Sequence, residues 1–309
     1  MALAADPLTP RAGVEICSTT INAVVLGNDG TVIVSEQTPI DNAISLPAQL
    51  SPVIDGLRAQ HPSLTKVGVA LPGLVDRKTG RVTYSANMPQ NVSADVVREI
   101  KASSGIDIHI ENDANAAAYG EYKLGAGRGC RHMFYATLGE GVGGAFIFAG
   151  ELWRGAAGYA GEFGFVPINS EGIKLEEVAS AANIVRRTKE RFYQDSTSSL
   201  NYLPNHTITL EAIISAANKK DDFAQLMLNR TGSYVGTAIA SVINLLNIER
   251  IVVGGAIMRA KDVVLDAITS RAKEITFGPS FASTTIKAGE LGDRAAAVGV
   301  AILASEAAD

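Results

Sequence analysis

A pattern of strand, small-residue turn, strand, turn and strand occurs twice in this chain, about 120 residues apart, and it restricts the fold more than any single motif does. The first copy is Val14-Glu15-Ile16, the polar turn Cys17-Ser18-Thr19-Thr20, then Ile21 to Leu26, the turn Gly27-Asn28-Asp29-Gly30 and Thr31 to Val34. The second is His132 to Thr137, the glycine-rich turn Leu138 to Gly144, then Ala145 to Phe148, closed by Ala149-Gly150. Apolar β-branched runs bounded by Gly, Asn and Asp are strand and hairpin signals. Their repetition predicts an internally duplicated α/β protein whose hairpins bring backbone N–H groups onto phosphate oxygens. Gly139, Gly141 and Gly144 also fit the G-x-G-x-x-G spacing. A dinucleotide fold needs a helix after those glycines, however, and here a strand follows.

Between the two copies lies Glu111-Asn112-Asp113-Ala114-Asn115. The β-branched run Ile106 to Ile110 before it reads as a strand, and the alanine-rich run after it, ending at Gly125, reads as a helix. A carboxylate at such a turn is kept anionic by the unpaired N–H groups and dipole of the helix N-terminus. It is then able to draw a proton from a hydroxyl. The simpler alternative makes Asp113 only the helix N-cap.

Elsewhere Val67 to Leu71 is an apolar strand ending at Pro72-Gly73, and Val92 to Ser104 reads as a helix capped by Ser93 and stopped by Gly105. Trp153 to Val166 is a glycine-rich loop holding Gly161-Glu162-Phe163-Gly164-Phe165, and Leu175 to Tyr193 reads as one helix with Glu176 near its start. Leu210 to Asn218 and Phe223 to Leu246 are helical. Arg250 to Val253 runs into Gly254-Gly255 and a helix through Lys273. The glycine pair either admits a flat adenine-ribose group or is simply a strand-to-helix junction.

Composition narrows the class. A length of 309 residues with 47% hydrophobic content supports two domains. The net charge of -5 offers no electrostatic footprint for nucleic acid or an anionic membrane. No apolar run approaches the roughly 20 residues of a membrane span, and the start, Met1 to Pro7, lacks the basic and apolar regions of a signal peptide. Cys17 and Cys130 cannot form a disulfide framework or a four-thiolate zinc site. A cytoplasmic protein is expected.

The ordered set Val69 to Asp76 with Gly80 and Asn87, Glu111 to Ala116, the glycine hairpin, Gly161-Glu162-x-Gly164, Leu175-Glu176 and Val253-Gly254-Gly255 resembles the ROK family of sugar kinases and sugar-responsive repressors over nearly the full length. The resemblance implies an α/β actin-like ATPase fold, a duplicated ribonuclease-H-like architecture with two domains flanking a cleft. The domains are expected at 11-118 plus 293-309 and at 119-292. It also implies that Asp113 is the base for the sugar 6-hydroxyl as that attacks the γ-phosphoryl group of ATP. Gly73, Asn87, Asn112, Glu162 and Glu176 then bind the hexose, and Glu15, Thr19, Gly139, Gly141, Gly143, Gly254 and Gly255 serve ATP and Mg2+.

The chain departs from the family pattern in four places. The opening turn, usually Asp-x-Gly-Gly-Thr-Lys, is Glu15-Ile16-Cys17-Ser18-Thr19-Thr20, which loses two glycines and a lysine. Glu140 stands where active kinases usually carry Thr, as in the repressor branch. Phe165 replaces the usual His, a sugar contact and zinc ligand, and Ile168 to Lys174 lacks the cysteine cluster that completes the zinc site. No metal-ligating residues and no structural zinc are therefore expected. Three readings follow: an ATP-dependent hexose kinase of glucokinase type, a sugar-binding protein with degraded phosphate turns, and a transcriptional repressor. The third is disfavoured because only Met1 to Ala12 precede the first strand, where family repressors carry a helix-turn-helix. The sugar is left open, as is polyphosphate in place of ATP as donor. A homodimer without nucleic-acid or membrane partners is the family expectation.

Overall fold

The computed structural model describes residues 10–41, 43–76, 79, 81–85 and 95–307. Contacts group them into two compact units. The first takes in the described residues up to Arg128, Arg154–Tyr159 and those from Asp293 onward; the second is Gly129–Trp153 with Ala160–Gly292.

In the first unit the strands are β1 (Arg11–Ile16), β2 (Thr20–Leu26), β3 (Val32–Pro39), β4 (Lys66–Leu71), the small pair β5 (Leu74–Asp76) and β6 (Arg81–Tyr84), and β7 (Asp107–Asn112). The main sheet has the order β3-β2-β1-β4-β7. The β1-β2 and β2-β3 pairs are antiparallel, whereas β1-β4 and β4-β7 are parallel. Side chains alternate across it. Ala12, Val14 and Ile16 join a core with Leu46, Leu50, Ile54 and Leu57 of α1 (Leu46–Gln60), spaced for one helical face, and with Ile100 of α2 (Val96–Ser104). Asp95, not Ser93, caps α2 by accepting from the Arg98 N–H, and Gly105 ends it at φ 70°. Val92 and Ser93 lie outside the described residues.

The other face carries α3 (Asp113–Leu124) and α10 (Ala295–Glu306), and here backbones touch. A Cβ on Gly13 of β1 would stand 2.0 Å from the Ala297 carbonyl oxygen, one on Gly68 of β4 would stand 2.1 Å from that of Val300, and one on Gly299 would stand 1.8 Å from that of Ala116. Small residues along α10 are the reason this helix lies flat against both sheet and helix. The expected boundary between Ala118 and Tyr119 falls inside α3. The helix stays whole within the first unit, with Tyr119 donating to Glu306 and Lys123 Nζ 2.8 Å from Glu306 Oε1.

The second unit repeats the plan. Its strands β8 (Met133–Leu138), β9 (Val142–Phe148), β10 (Glu151–Trp153), β11 (Arg250–Gly254) and β12 (Thr285–Ala288) take the order β10-β9-β8-β11-β12. Antiparallel pairs are again followed by parallel ones. Helices α4 (Glu176–Ala179), α5 (Ala181–Lys189), α6 (Leu210–Asn218), α7 (Asp222–Leu246), α8 (Asp262–Ile275) and α9 (Gly278–Ala282) complete it. The single helix expected from Leu175 to Tyr193 is broken at Ser180, which is extended at ψ 157°. The break has a tertiary cause: Ala181 N–H donates to the Gly139 carbonyl at 2.8 Å instead of to its own helix. After Gly255 a 3-10 turn, Ala256–Ala260, precedes α8, where one helix through Lys273 was expected. Among the described residues no helix is long and apolar enough to cross a membrane.

Glycine substitutions with opposite signs test this packing. Gly299→Ala overpacks the α3–α10 contact and should lower stability by about 1–3 kcal/mol or more, whereas Gly56→Ala in α1, where a Cβ meets nothing within 4 Å, should raise it by up to about 1 kcal/mol. Urea denaturation of both variants checks the pair; equal shifts would contradict the backbone contact.

Candidate active site

In the first unit the carboxyl ends of the parallel strands β1, β4 and β7 lie side by side, and the residues at those ends form the site. The register places Glu15 opposite Ala70 and Ala70 opposite Glu111. In sheets of this kind ligands bind beyond the carboxyl ends of the strands. Asn112 joins the pieces: its Oδ1 accepts from Asn115 N–H at 3.0 Å, and its Nδ2 donates to the Gly73 carbonyl at 2.9 Å and to Asp113 Oδ1 at 2.9 Å. The N-cap of α3 is thus Asn112, which corrects the reading of Asp113 as the cap. Asp113 is the first residue of the helix, and its Oδ1 also accepts from the Ala114 N–H at 2.9 Å. Gly73 has φ +108°, and a Cβ there would stand 2.1 Å from the Tyr84 carbonyl oxygen, so only glycine delivers that carbonyl to Asn112.

Glu111 lies directly beneath and is buried. Its Oε1 accepts from Asn112 N–H and Asn115 Nδ2, both at 3.1 Å. Its Oε2 accepts from Arg154 Nη2 at 2.5 Å and Nε at 3.2 Å, a two-point guanidinium contact that satisfies the buried charge. Sequence reasoning missed Arg154: it stands in an aperiodic glycine-rich loop, 43 residues from its partner.

Glu15 closes the group. Its carboxyl is pushed up to about 7, first by burial and then by the negative charge of Asp113, with Asp293 adding a smaller push and hydrogen bonds from Asn22 and Cys17 pulling the other way. Its Oε2 is enclosed and has no hydrogen-bond partner. A carboxylate oxygen is the kind of ligand a hard divalent cation takes, alongside oxygens from other sources. Thr19 is exposed in the turn that Cys17 N–H closes on the Thr20 carbonyl at 2.8 Å.

The second unit holds the remaining candidates. Gly139 N–H donates to the Gly141 carbonyl at 3.0 Å, forming the tight turn between β8 and β9, with Glu140 exposed at its tip. Gly143 is not in the turn; it sits within β9, opposite Thr137. The strand begins at Val142, so the expected glycine-rich turn is shorter than the sequence indicated. Parallel pairing sets Gly254 opposite Thr137, and Gly255, at φ +90°, packs where a Cβ would stand 2.4 Å from the Leu138 carbonyl oxygen. The glycine pair is therefore brought against the start of the glycine turn.

Glu176 Oε2 accepts from the Val142 N–H at 2.9 Å, and Gly164 packs so closely that a Cβ would stand 2.5 Å from the Val142 carbonyl oxygen. Glu162 belongs to the same loop; its carboxyl is raised above the usual range by burial and then by the charge of Glu176. A pair of neighbouring carboxylates suits a ligand rich in hydroxyl donors. Asn87 lies outside the described residues.

These features, a duplicated sheet with carboxylates at one set of strand ends and a glycine turn at the other, define an actin-like ATPase fold. The chain matches the ROK family model over residues 11–307 and belongs to that family. It is 31% identical to the glucokinase of Halalkalibacterium halodurans over 83% of each chain, and 30% identical to that of Thermotoga maritima over 97% of this chain and 98% of the other. The crystal structure of a ROK family glucokinase from Streptomyces griseus in complex with glucose and AMPPNP superposes with a TM-score of 0.86 at 27% identity, covering 96% of this chain and 100% of that one.

A raised Glu15 has a definite thermodynamic sign. The folded state binds its proton more tightly than the unfolded state, whose value is near 4.5, so Glu15 lowers stability progressively as pH rises from about 4.5 to about 7. Glu15→Gln removes that loss. Its melting temperature should gain on the wild type as pH is raised from about 5 to about 8, and a difference that stays constant with pH would contradict the assignment.

Proposed function

We propose that this chain is a sugar kinase that transfers the γ-phosphoryl group of ATP to the 6-hydroxyl of a glucose-like hexose. The observation that carries the reading is the placement of Asp113 at the first position of α3, with Asn112 bonding both its Oδ1 and the Gly73 carbonyl. A helix N-terminus favours the carboxylate form, and a carboxylate fixed by two N–H donors has little freedom to turn away from a substrate hydroxyl. The supporting likeness is to glucokinases at about 30% identity over most of the chain.

In this reading Asp113 takes the proton of the 6-hydroxyl, the oxygen bonds to the γ-phosphorus, and the bond from that phosphorus to the β-phosphate oxygen breaks to leave ADP. Asn112 and the Gly73 segment position the sugar, and Glu162 and Glu176 accept hydrogen bonds from its other hydroxyls. The turn at Gly139 and Gly141 and the pair Gly254-Gly255 offer backbone N–H groups and a close surface to the nucleotide. Charge neutralisation on the phosphates is what bound Mg2+ supplies, and Glu15 is the residue to hold it together with those phosphates. Positioning dominates because the transferred group needs little covalent help.

A second reading, a sugar-binding protein without chemistry, draws on Glu140, which sets a carboxylate at the exposed tip of the turn, and on the raised Glu15. Transfer from magnesium-ATP across a panel of hexoses separates the two. Asp113→Asn should reduce kcat on the preferred sugar by about 10²- to 10⁴-fold with little change in KM, as loss of a general base does. Absence of transfer to any sugar by the wild type, with melting still raised by one of them, would favour the second reading.

A further inference from the structure

The loop that carries Glu162 and Glu176 is where family members place zinc, and the residues present do not fit that ion. Zinc takes thiolates, imidazoles and carboxylates in a tetrahedral set. Phe165 stands at the histidine position, and Ile168 to Lys174 supplies an amide, a hydroxyl, one carboxylate and an ammonium in place of thiolates. Among the described residues no group of three or more His, Cys, Asp or Glu is arranged to hold a metal ion.

The same stretch is closed in a different way. Pro167 and Lys174 form an antiparallel bridge, Ile168 N–H donates to the Ile173 carbonyl at 2.9 Å, and Leu175 N–H donates to the Val166 carbonyl at 3.0 Å. The tip is a turn built on Asn169, whose Oδ1 accepts from the Ile173 N–H at 3.0 Å and whose carbonyl accepts from the Gly172 N–H at 3.2 Å. At the open end Lys174 Nζ lies 4.4 Å from the centroid of the Phe165 ring. Phe165, at the histidine position, therefore touches the last residue of the stretch that lacks the cysteine cluster. Each is next to a carboxylate of the site: Phe165 ends the 3-10 turn that begins after Glu162, and Lys174 precedes Leu175-Glu176.

We propose that the Phe165–Lys174 cation–π contact, closing the Asn169 hairpin, is the metal-free clasp of this loop, and that Lys174 is a positioning residue for the sugar-binding carboxylates Glu162 and Glu176. The inference rests on the sugar-kinase reading for its effect on substrate, but not for the clasp itself. Aromatic and ammonium groups hold each other through the ring quadrupole without any exchangeable ligand. The clasp therefore operates where chelators would open a zinc loop.

Two measurements on the full chain test it separately. In Lys174→Met, hydrogen exchange at the amides of Ile168 and Leu175 should quicken about 2- to 5-fold, the loss expected of a partly exposed cation–π contact. Over the same comparison KM for the preferred hexose should rise by a similar factor while kcat and KM for ATP move by less than about 2-fold. Lys174→Arg, which keeps the contact, should restore wild-type values in both. Dialysis of the wild type against a zinc chelator should change neither. Unchanged exchange in Lys174→Met, a changed exchange without a change in sugar KM, failure of the arginine variant to rescue, or one zinc per chain with a chelator-sensitive KM would each overturn the proposal. If the wild type phosphorylates no sugar, the kinase reading fails instead, and the exchange rates alone decide for or against the clasp.

Discussion

The first unit depends on one amide. Asn112 ends β7, caps α3, and spends both Nδ2 hydrogens on the Gly73 carbonyl and on Asp113. That side chain ties the end of β7 to Gly73, which follows β4, and the backbone pairing of β4 with β1 sets Glu15 beside them. Removing the amide would leave a helix end uncapped and a carboxylate unoriented together, so fold and chemistry are not separable at this position. Beneath it the Glu111–Arg154 pair is buried on the carboxylate side. Its geometry and the additional donors from Asn112 and Asn115 are what make such burial tolerable.

The duplicated plan assigns different work to equivalent places. At the end of β1 a polar turn follows the strand's own Glu15; at the end of β8 the turn is glycine-rich and holds Glu140 at its exposed tip. Backbone N–H groups bind phosphate oxygens, whereas a carboxylate repels them unless a cation stands between. The raised Glu15 follows first from its burial and then from the charge of Asp113, and it makes the site's charge sensitive to pH near neutrality. Close glycine packing against α10 and α3 is what permits this proximity, since a bulkier sheet face would hold the helix and its N-terminal carboxylate farther from β1.

Much of this was legible in the residues. Period-two apolar runs and Gly/Asn/Asp turns located the repeated hairpins, and the change from β-branched to alanine-rich sequence at Glu111–Ala116 located the central turn. The identity of the cap was not legible, because Asn112 and Asp113 are both good caps and only the backbone of Asn112 has the extended conformation at the boundary. Arg154 and the break at Ser180 escaped for the same physical reason: each is fixed by a bond to a residue far along the chain, Glu111 and Gly139, on which local periodicity is silent. Phe165 was visible only as a departure, and Lys174 only as the end of a stretch without cysteine; that they meet required the hairpin.

The claim that Asp113 acts on a sugar hydroxyl is tested most directly by following the phosphorus. With magnesium-ATP and glucose, 31P NMR should show ADP and a glucose 6-phosphate resonance growing in equal amounts. Growth of ADP with inorganic phosphate, or of a sugar phosphate at another position, would contradict the account.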